Sequence, residues 1–482
     1  MFDKKSASSI IEYAKQLKGL TLRQASQKNI EYHGYKGKGN FGQLLEKYYF
    51  GYEPNSNAEP DFKEVGIELK SSPLKLLKNG DFRSKERLVL NIINYLTVHQ
   101  ETFETSSFWK KNAHLLLIFY LHRTNTDVLD YVIKLVDDWH YPKEDLIIIK
   151  HDWKIITQKI KDGKAHELSE GDTFYLGACT KGPTASKSFR KQPFSNEKAK
   201  QRAYSLKQGY ANHIIANIAQ EESASYGKII RQPEMIDSDK TIEEIIISKF
   251  EPFFGMSARQ IEKEFGLKLN HKAKSYFANI TNSIFGIELE QKAEELEKGD
   301  IQVKTIRVEE NNKIKQSVSF PAFEFTTIYD EHWRTSLFKE KIEKKFLFLF
   351  YKSDGQDYRL NKVMFWNMPY IDRNEARRIW LKTKKTIQNG SIFKDFAIDK
   401  KTGKPRLSMK GNQIKYNNLP KLSDSIVCHV RPHGADSFST YPLPIQDKKL
   451  KSKEYSKQCF WLNADYVRDS IYLKNHNKQL LL

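Results

Sequence analysis

The chain has very little cysteine and no long apolar run, and each absence excludes a class of protein. Its three cysteines among 482 residues, Cys179, Cys428 and Cys459, form neither a disulfide framework nor a zinc-binding pattern. The longest apolar runs, 115–121 and 346–351, fall well short of the ~20 residues that a membrane-spanning helix needs. The first residues lead into an amphipathic stretch rather than an apolar signal core. We therefore expect a reduced, cytoplasmic protein without a membrane anchor.

Positive charge is in excess. The 80 lysines and arginines outnumber the 60 aspartates and glutamates, which gives a formal net charge of +20. On a chain without a membrane segment, such an excess most often indicates a nucleic-acid partner. A chain of 482 residues is long enough for roughly two or three domains, each with its own core.

The segment 60–72 places two carboxylates and one ammonium close together. Apolar residues alternate over 65–69, which indicates a half-buried strand, so Glu68 and Lys70 project together from its other face. Asp61 precedes the strand, and a bend there would bring its carboxylate beside Glu68. Two such carboxylates are hard ligands for Mg²⁺, and Lys70 adds a positive charge near an attacked phosphate. The pattern favours a metal-assisted hydrolase, with an amphipathic strand that has a solvated polar face as the alternative.

Residues 37–42 match the glycine-rich pattern G-x-G-x-x-G of dinucleotide-binding proteins. The preceding residues are polar rather than strand-like, and a helical stripe of apolar residues follows directly, so the required context is missing. We expect no nucleotide cofactor. Lys38 lies before that helix and Glu46 lies on it, away from the apolar stripe, where solvated surface is the simplest interpretation of both.

Further along, 88–95 and 114–121 are rich in β-branched and aromatic residues and predict strands, and a helix is expected around 153–160. A basic run interleaved with aromatic residues follows over 187–210 and includes Lys207. This composition suits a surface that faces DNA, although a merely solvated charged face is the alternative.

The chain repeats itself in order after a polar stretch without a clear period. The recurring segments are Leu22–Gln24 as Ala258–Gln260, Ile67–Lys70 as Ile301–Lys304, Trp153 as Trp380, and Cys179–Gly182 as Arg431–Gly434. Because the order never changes, a duplicated domain with loop insertions is indicated. The predicted organisation is a first domain over 1–217, a linker over 218–250 and a second domain over 251–482.

The second copy keeps the scaffold and loses the acids. It offers Glu295, Gln302 and Lys304 where the first copy has its Asp-Glu-Lys set, and Thr281 where the first has a helical glutamate. A glutamine amide is a weak, neutral ligand for a hard cation. The second half is therefore expected to bind Mg²⁺ poorly and not to cut.

These residues resemble MutH and the MutH-like type II restriction endonucleases of the Sau group, which act at GATC. The resemblance rests on the early helix with Leu17, on Lys38-Gly39, on Leu44-Leu45-Glu46 with Phe50-Gly51, and above all on Pro60-Asp61 with Gly66–Lys70. It implies an α/β fold of two tandem restriction-endonuclease-like domains, each a central mixed sheet flanked by helices. It also implies that Asp61, Glu68 and Lys70 form the catalytic D…ExK set, with Asp61 and Glu68 as metal ligands, Mg²⁺ as cofactor, and Lys38 and Glu46 as additional catalytic residues.

The resemblance further implies a base-recognition loop. In the second half this loop corresponds to Arg431, Pro432 and His433. In the first half it corresponds to Thr180 and Lys181, which depart from the Arg-Pro form of the family, so the base contacts there are less defined.

The implied function is that of a type II restriction endonuclease that cleaves double-stranded DNA at GATC by Mg²⁺-dependent hydrolysis. The second half is expected to bind a second DNA site as an allosteric effector, and the chain to self-associate on DNA. Two alternatives remain: a MutH-like nickase of mismatch repair and a DNA-binding protein that does not cut.

Overall fold

The computed structural model describes residues 2–26, 40–54, 58–182, 188–220, 226–230, 240–399, 401–407, 411, 413–434 and 439–474. The chain forms two compact units. The first combines residues 1–250 with 270–302, and the second combines 251–269 with 303–482. Among the described helices, none has the length and apolar character required to span a bilayer.

This division differs from the predicted domain boundaries. The predicted linker, 218–250, contains the helix Ile242–Ser248, which starts with a capping box on Thr241. The segment 270–302, predicted to lie in the second domain, belongs to the first unit. Its attachment depends on contacts between residues distant in sequence, which no local period reveals.

The first unit contains both strands and helices, some short and some long. Its strands are β1 (Ile67–Leu76), β2 (Phe82–Ser84), β3 (Leu88–Ile92), β4 (His114–Leu121), β5 (Ile133–His140), β6 (Leu176–Thr180), β7 (Phe189–Gln192), β8 (Ser195–Lys200), β9 (Arg202–Leu206), β10 (Tyr226–Gly227) and β11 (Lys292–Ala293). Its helices are α1 (Ala7–Lys15), α2 (Leu22–Ala25), α3 (Asn40–Tyr48), α4 (Tyr95–Val98), α5 (Ser107–Asn112), α6 (Lys143–Lys161), α7 (Gln208–Ala219), α8 (Ile242–Ser248), α10 (Tyr276–Phe285) and α11 (Glu294–Lys298).

Two sheets organise this unit. The first has the order β2-β1-β4-β5 and is mixed, because β1 runs parallel to β4 while its other pairings are antiparallel. The second has the order β3-β9-β6 and is antiparallel. One apolar cluster joins α1 and α3 to the first sheet and includes Ile67 and Leu69, the alternating residues of β1. This packing fixes the position of β1, from which the predicted acids project.

The second unit has its own elements. Its strands are β12 (Gln302–Val308), β13 (Val318–Phe323), β14 (Phe346–Ser353), β15 (Tyr358–Trp366), β16 (Phe393–Phe396), β17 (Lys415–Asn417), β18 (Cys428–Pro432), β19 (Thr440–Pro442), β20 (Glu454–Ser456) and β21 (Gln458–Leu462). Its helices are α9 (Ala258–Glu264), α12 (Phe325–Asp330), α13 (Leu337–Ile342), α14 (Tyr370–Gln388) and α15 (Ala464–Tyr466), the last continuing into a π-helical turn over Val467–Tyr472.

The second unit repeats the strand orders of the first. Its sheets β12-β14-β15 and β13-β21-β18 correspond to β1-β4-β5 and β3-β9-β6. The helices α6 and α14 both have 19 residues, and Trp153 and Trp380 are each the eleventh residue of their helix. The predicted α/β fold with two tandem mixed-sheet domains is confirmed at the level of strand order.

Candidate active site

A tight loop before β1 folds Asp61 back toward the strand. The backbone N–H of Phe62 donates to the carbonyl of Ile67 at 2.8 Å, and the N–H of Ile67 donates back to the Phe62 carbonyl at 3.2 Å. Gly66, with φ of 69°, adopts the left-handed conformation that closes this loop at little steric cost. The bend expected from the sequence is therefore present.

Asp61, Glu68 and Lys70 meet at the start of β1. The backbone N–H of Asp61 donates to Glu68 Oε2 at 3.1 Å, and the N–H of Leu69 donates to Asp61 Oδ2 at 3.0 Å. Lys70 Nζ lies 2.5 Å from Glu68 Oε1. Glu68 is only 2% exposed, so its charge is balanced by this ammonium rather than by water. The structure brings the predicted set together.

Glu46, on α3, joins the same cluster. Burial, followed by repulsion from Asp61, raises the pKa of Glu46 to about 7, although Lys70 opposes the shift. Burial also raises the pKa of Glu68 to about 7 against the attraction of Lys70, with Asp61 adding repulsion. Three carboxyl groups thus share a partly dry site in which the Asp61 charge disfavours ionisation of Glu46 and Glu68, an arrangement that a bound cation relieves.

Two further side chains at the site were missed by the sequence analysis. Lys111 Nζ, at the end of α5, lies 3.6 Å from Glu68 Oε1, and its side chain is mostly buried. The Tyr52 hydroxyl is buried without a hydrogen-bond partner in the described part of the chain, and burial, with repulsion from Asp61, raises the pKa of this phenol well above its usual range. Lys111 and Tyr52 reach the site through tertiary packing, which the spacing of residues in the sequence does not reveal. The one signal that the sequence offers is a lysine near the end of a helix.

The carboxylates present fit a Mg²⁺ ion. Asp61 and Glu68 supply hard oxygen ligands on adjacent backbone segments, and Glu46 lies close enough to both for their charges to raise its pKa. Lys38, predicted to assist, lies outside the described residues.

The residues of the first unit that were predicted to contact DNA differ in their exposure to solvent. Thr180 ends β6, and the exposed Lys181 follows it, its backbone N–H bonded to the Gln201 carbonyl at 2.8 Å. The hairpin of β7 and β8 carries exposed basic residues, namely Arg190, Lys191 and Lys198. The basic run therefore does form a cationic surface over part of its length.

Lys207 was predicted to contact DNA, but it lies in the interior. Its side chain is 5% exposed, and Nζ donates to the backbone carbonyls of Thr173 and Gly299. A buried ammonium held by carbonyl oxygens is not placed to contact a DNA backbone, so its prediction as a DNA-binding residue was wrong. Residues of a basic run look alike in sequence, and only packing separates this one from its exposed neighbours.

In the second unit, Arg431, Pro432 and His433 lie exposed at the end of β18. The Arg431 guanidinium lies 3.9 Å from the ring centroid of Trp461, and the His433 ring meets the edge of the same indole at 5.3 Å. Stacking of this kind holds a planar guanidinium in a defined orientation while leaving its donors accessible. The residues that follow, 435–438, lie outside the described part.

In the second copy, the residues that correspond to the acids of the active site have hydrogen-bond partners of their own. The Glu295 carboxylate accepts hydrogen bonds from the backbone N–H groups of Ile229 and Ile230 at 3.0 and 2.9 Å. The Thr281 hydroxyl donates to the Phe277 carbonyl of its own helix at 2.8 Å. Gln302, at the start of β12, carries no charge. Glu295 and Thr281 are therefore engaged in hydrogen bonds within the described part of the chain, and weak Mg²⁺ binding by the second copy stays a prediction.

Comparison with known proteins gives matches of two kinds. Residues 50–152 match the family model described as the DNA mismatch repair enzyme MutH. The chain is 37% identical over 465 residues to the type II restriction enzyme Sau3AI of Staphylococcus aureus, covering 90% of this chain and 93% of that protein. It is also 29% identical over 172 residues to MutH of Shewanella woodyi, which covers 34% of this chain and 71% of the relative, and 26% identical over 176 residues to MutH of Vibrio parahaemolyticus, covering 36% and 76%.

Proposed function

The chain belongs to the family of MutH-like type II restriction enzymes, and on that premise we propose that it hydrolyses both strands of DNA at GATC with Mg²⁺ as its cofactor. The observation that carries the proposal is the convergence of Asp61, Glu68 and Lys70 at the start of β1, within the segment that matches the MutH model. The choice of GATC rests on the family resemblance. DNA as the substrate agrees with the net charge of +20.

The residues at the site have distinct roles in this proposal. Asp61 and Glu68 would hold Mg²⁺, which when bound lowers the pKa of a coordinated water and neutralises charge on the phosphate. Lys70, already beside Glu68, positions the attacking water against the phosphorus. Lys111 provides a second ammonium beside the same carboxylate, which favours the ionised form of Glu68 and adds positive charge where the phosphorane develops negative charge.

The electrostatics explain why the site is assembled from both acids and lysines. Burial is the largest cause that raises the pKa of Glu68 and of Glu46 to about 7, even though Lys70 and Lys111 oppose the shift, so a large share of both groups is protonated near neutrality until a further cation binds. The ammonium groups of Lys70 and Lys111 favour the ionised form that binds metal. A substrate phosphate then enters a site that already holds positive charge.

A digest of supercoiled plasmid with several GATC sites separates the proposal from its alternatives. A restriction enzyme gives linear fragments, a MutH-like nickase gives open circles, and a non-cutting DNA-binding protein leaves the plasmid intact but shifted on a gel. Linear fragments that require Mg²⁺ support the proposal. Open circles that do not progress to linear DNA, or intact plasmid, reject it.

We further propose that the second unit binds a second GATC site and acts as an effector. A palindrome cut in both strands needs two active sites or two visits, and each chain carries one intact set of acids. Arg431, exposed and stacked on Trp461, can pair bidentately with guanine, which is worth about 1–3 kcal/mol of discrimination. Binding of a second site by this unit would favour association of two chains on DNA.

A further inference from the structure

A second group of metal-binding side chains lies at one end of the sheet that carries the catalytic strand. His114 begins β4, and Asp138 and His140 lie at the end of β5. In the antiparallel register His114 is opposite His140, and Asp138 is opposite Leu116, two residues along. Opposite residues and those two positions along share one face of a sheet. The register therefore gathers two imidazoles and one carboxylate on one face.

The distances between these groups are those of a coordination site. His114 Nε2 lies 3.1 Å from Asp138 Oδ2, and His140 Nε2 lies 3.7 Å from the same oxygen. The two imidazole rings stack with their centroids 3.8 Å apart, and one ligand atom from each residue lies within 4.8 Å of the others. Ligand atoms around a tetrahedral Zn²⁺ lie roughly 3.3 Å apart, given metal–ligand distances of about 2.0–2.1 Å. Small rotations of the side chains suffice to reach that geometry.

The donor set selects the class of metal. Imidazole nitrogen suits Zn²⁺ and related transition metals, whereas Mg²⁺ prefers oxygen ligands. Three protein ligands leave a fourth position for water, and His140, whose side chain is 65% exposed, keeps that position open to solvent.

The group is separate from the carboxylates assigned to Mg²⁺. His114 is the register partner of Ile67 on β1, and paired residues on neighbouring strands point to the same face. Glu68, the next residue, points to the opposite face. Glu68 and His114 are therefore on opposite faces of one sheet, at the same end of β1 and β4.

We propose that His114, Asp138 and His140 bind one divalent transition-metal ion of the Zn²⁺ class. The ion links β4 to β5 at the end of the sheet where Glu68 enters the active site. Its role is to stabilise the catalytic unit, because none of its ligands faces the reacting phosphate.

The test uses the full-length chain with the double substitution D61N/E68Q, which removes the predicted Mg²⁺ ligands as competing sites. After chelator treatment the protein is titrated with Co²⁺, whose visible absorption distinguishes tetrahedral from octahedral coordination. We expect one saturable Co²⁺ per chain with a tetrahedral spectrum, displaced by equimolar Zn²⁺. We also expect Zn²⁺ to raise the melting temperature.

His140→Ala removes an exposed ligand and should leave the fold intact. Loss of even an indirect metal contact costs 10–100-fold in affinity, so H140A should weaken Co²⁺ binding by at least roughly tenfold and abolish the Zn²⁺-dependent rise in melting temperature. The matched control is His122→Ala, which removes a histidine just beyond the other end of β4 and should change neither result. Absence of saturable binding, an octahedral spectrum, or equal binding by H140A and H122A would overturn the proposal.

Discussion

The Glu68 carboxylate lies close to two ammonium groups, one from a residue nearby in sequence and one from a distant residue. Lys70 is its neighbour on β1, whereas Lys111 arrives from α5, and both approach Oε1. A carboxylate that is 2% exposed cannot rely on water to stabilise its charge. Its ionisation therefore depends on the balance between burial and these two cations, and each can be tested by substitution.

Lys111→Ala should lower the cleavage rate by about 10²-fold, because it removes positive charge that favours the transition state. It should also raise the pH at which cleavage reaches half its maximum, since Lys111 lowers the pKa of Glu68. Single-turnover cleavage measured across pH checks both effects. Lys110→Ala, which changes the exposed neighbouring lysine on α5, is the control and should behave like the wild type. An unchanged rate and midpoint in Lys111→Ala would contradict the assigned role.

Cleavage should increase as the pH rises through about 7, where Glu68 and Glu46 ionise. The folded-state pKa values are raised, so the protonated forms dominate below this range and compete with the metal. More Mg²⁺ should therefore move the midpoint to lower pH, as a cation favours the ionised form. Glu46→Gln removes one titrating group and should make the profile shallower. A rate that is flat between about pH 5.5 and about pH 8.5, independent of Mg²⁺, would refute this account.

At the residue level, the sequence predicted what is local and missed what is distant. The alternation of Val65, Ile67 and Leu69 was sufficient to place Glu68 and Lys70 on one face of a strand. Lys111 came from another element through tertiary packing, which no spacing encodes. The prediction for Lys207 relied on its local sequence, which is a basic run. Its basic neighbours are exposed, whereas two backbone carbonyls hold Lys207 in the interior.

At the level of elements, the segment 270–302 completes the first unit. Lys298, on α11, forms ion pairs with Asp145 at 3.0 Å and Glu294 at 2.7 Å, all three being largely buried. The Tyr210 hydroxyl donates to the same Asp145 at 2.8 Å. Breaking a buried ion pair by removal of one partner typically costs about 3–5 kcal/mol. This network therefore holds α11 against α6 and α7.

Gly209→Ala should destabilise the first unit, because a Cβ at this position would overlap the Glu297 carbonyl oxygen. The backbone cannot move aside as a flexible side chain does. We therefore expect the free energy of unfolding to fall by about 1–3 kcal/mol, or α11 to be displaced. Thermal unfolding of the full chain measures this destabilisation. Gly177→Ala is the control, since its nearest neighbour would be Ser205 Oγ at an ordinary 3.7 Å. Equal melting temperatures for the two variants would show that the close approach is not maintained in solution.

The elements themselves were predictable where apolar periodicity is strong. The strand predicted over 114–121 is β4, and the repeated Trp153 and Trp380 occupy equivalent helix positions. Helix α8 and the attachment of 270–302 were not predicted. One is a short helix within a polar stretch, and the other depends on ion pairs between residues about 150 positions apart in sequence.

At the level of the whole molecule, the proposed effector role divides catalysis and DNA recruitment between the two copies. The two units have matching strand orders, yet the second copy of the catalytic segment, which lies within 270–302, has Gln302 and an engaged Glu295 in place of the acids. In that proposal the second copy, in which the metal ligands are replaced, binds DNA without cutting it. We expect such a protein to depend on how many target sites its substrate carries.

Plasmids with two GATC sites should therefore be cut faster than plasmids with one. Arg431→Ala should erase this difference and leave the single-site rate, because the arginine would contact the effector DNA and not the scissile phosphate. Cleavage rates on matched one-site and two-site plasmids measure the effect. Arg377→Ala, an exposed arginine on α14, is the control and should retain the two-site advantage. Equal wild-type rates on both plasmids would instead favour a second unit that serves only as a packing scaffold.

The most direct measurement is a digest of DNA of known sequence with Mg²⁺, with every fragment end mapped, for the wild type, Glu68→Gln and Glu64→Gln. Glu64 is an exposed acid in the loop before β1 and serves as the control. The account predicts ends only at GATC for the wild type and Glu64→Gln. It predicts a loss of at least ~10³-fold in rate, about 4 kcal/mol, for Glu68→Gln, with DNA binding by gel shift retained within a few fold. Ends that lack GATC, or near wild-type cleavage by Glu68→Gln, would contradict it.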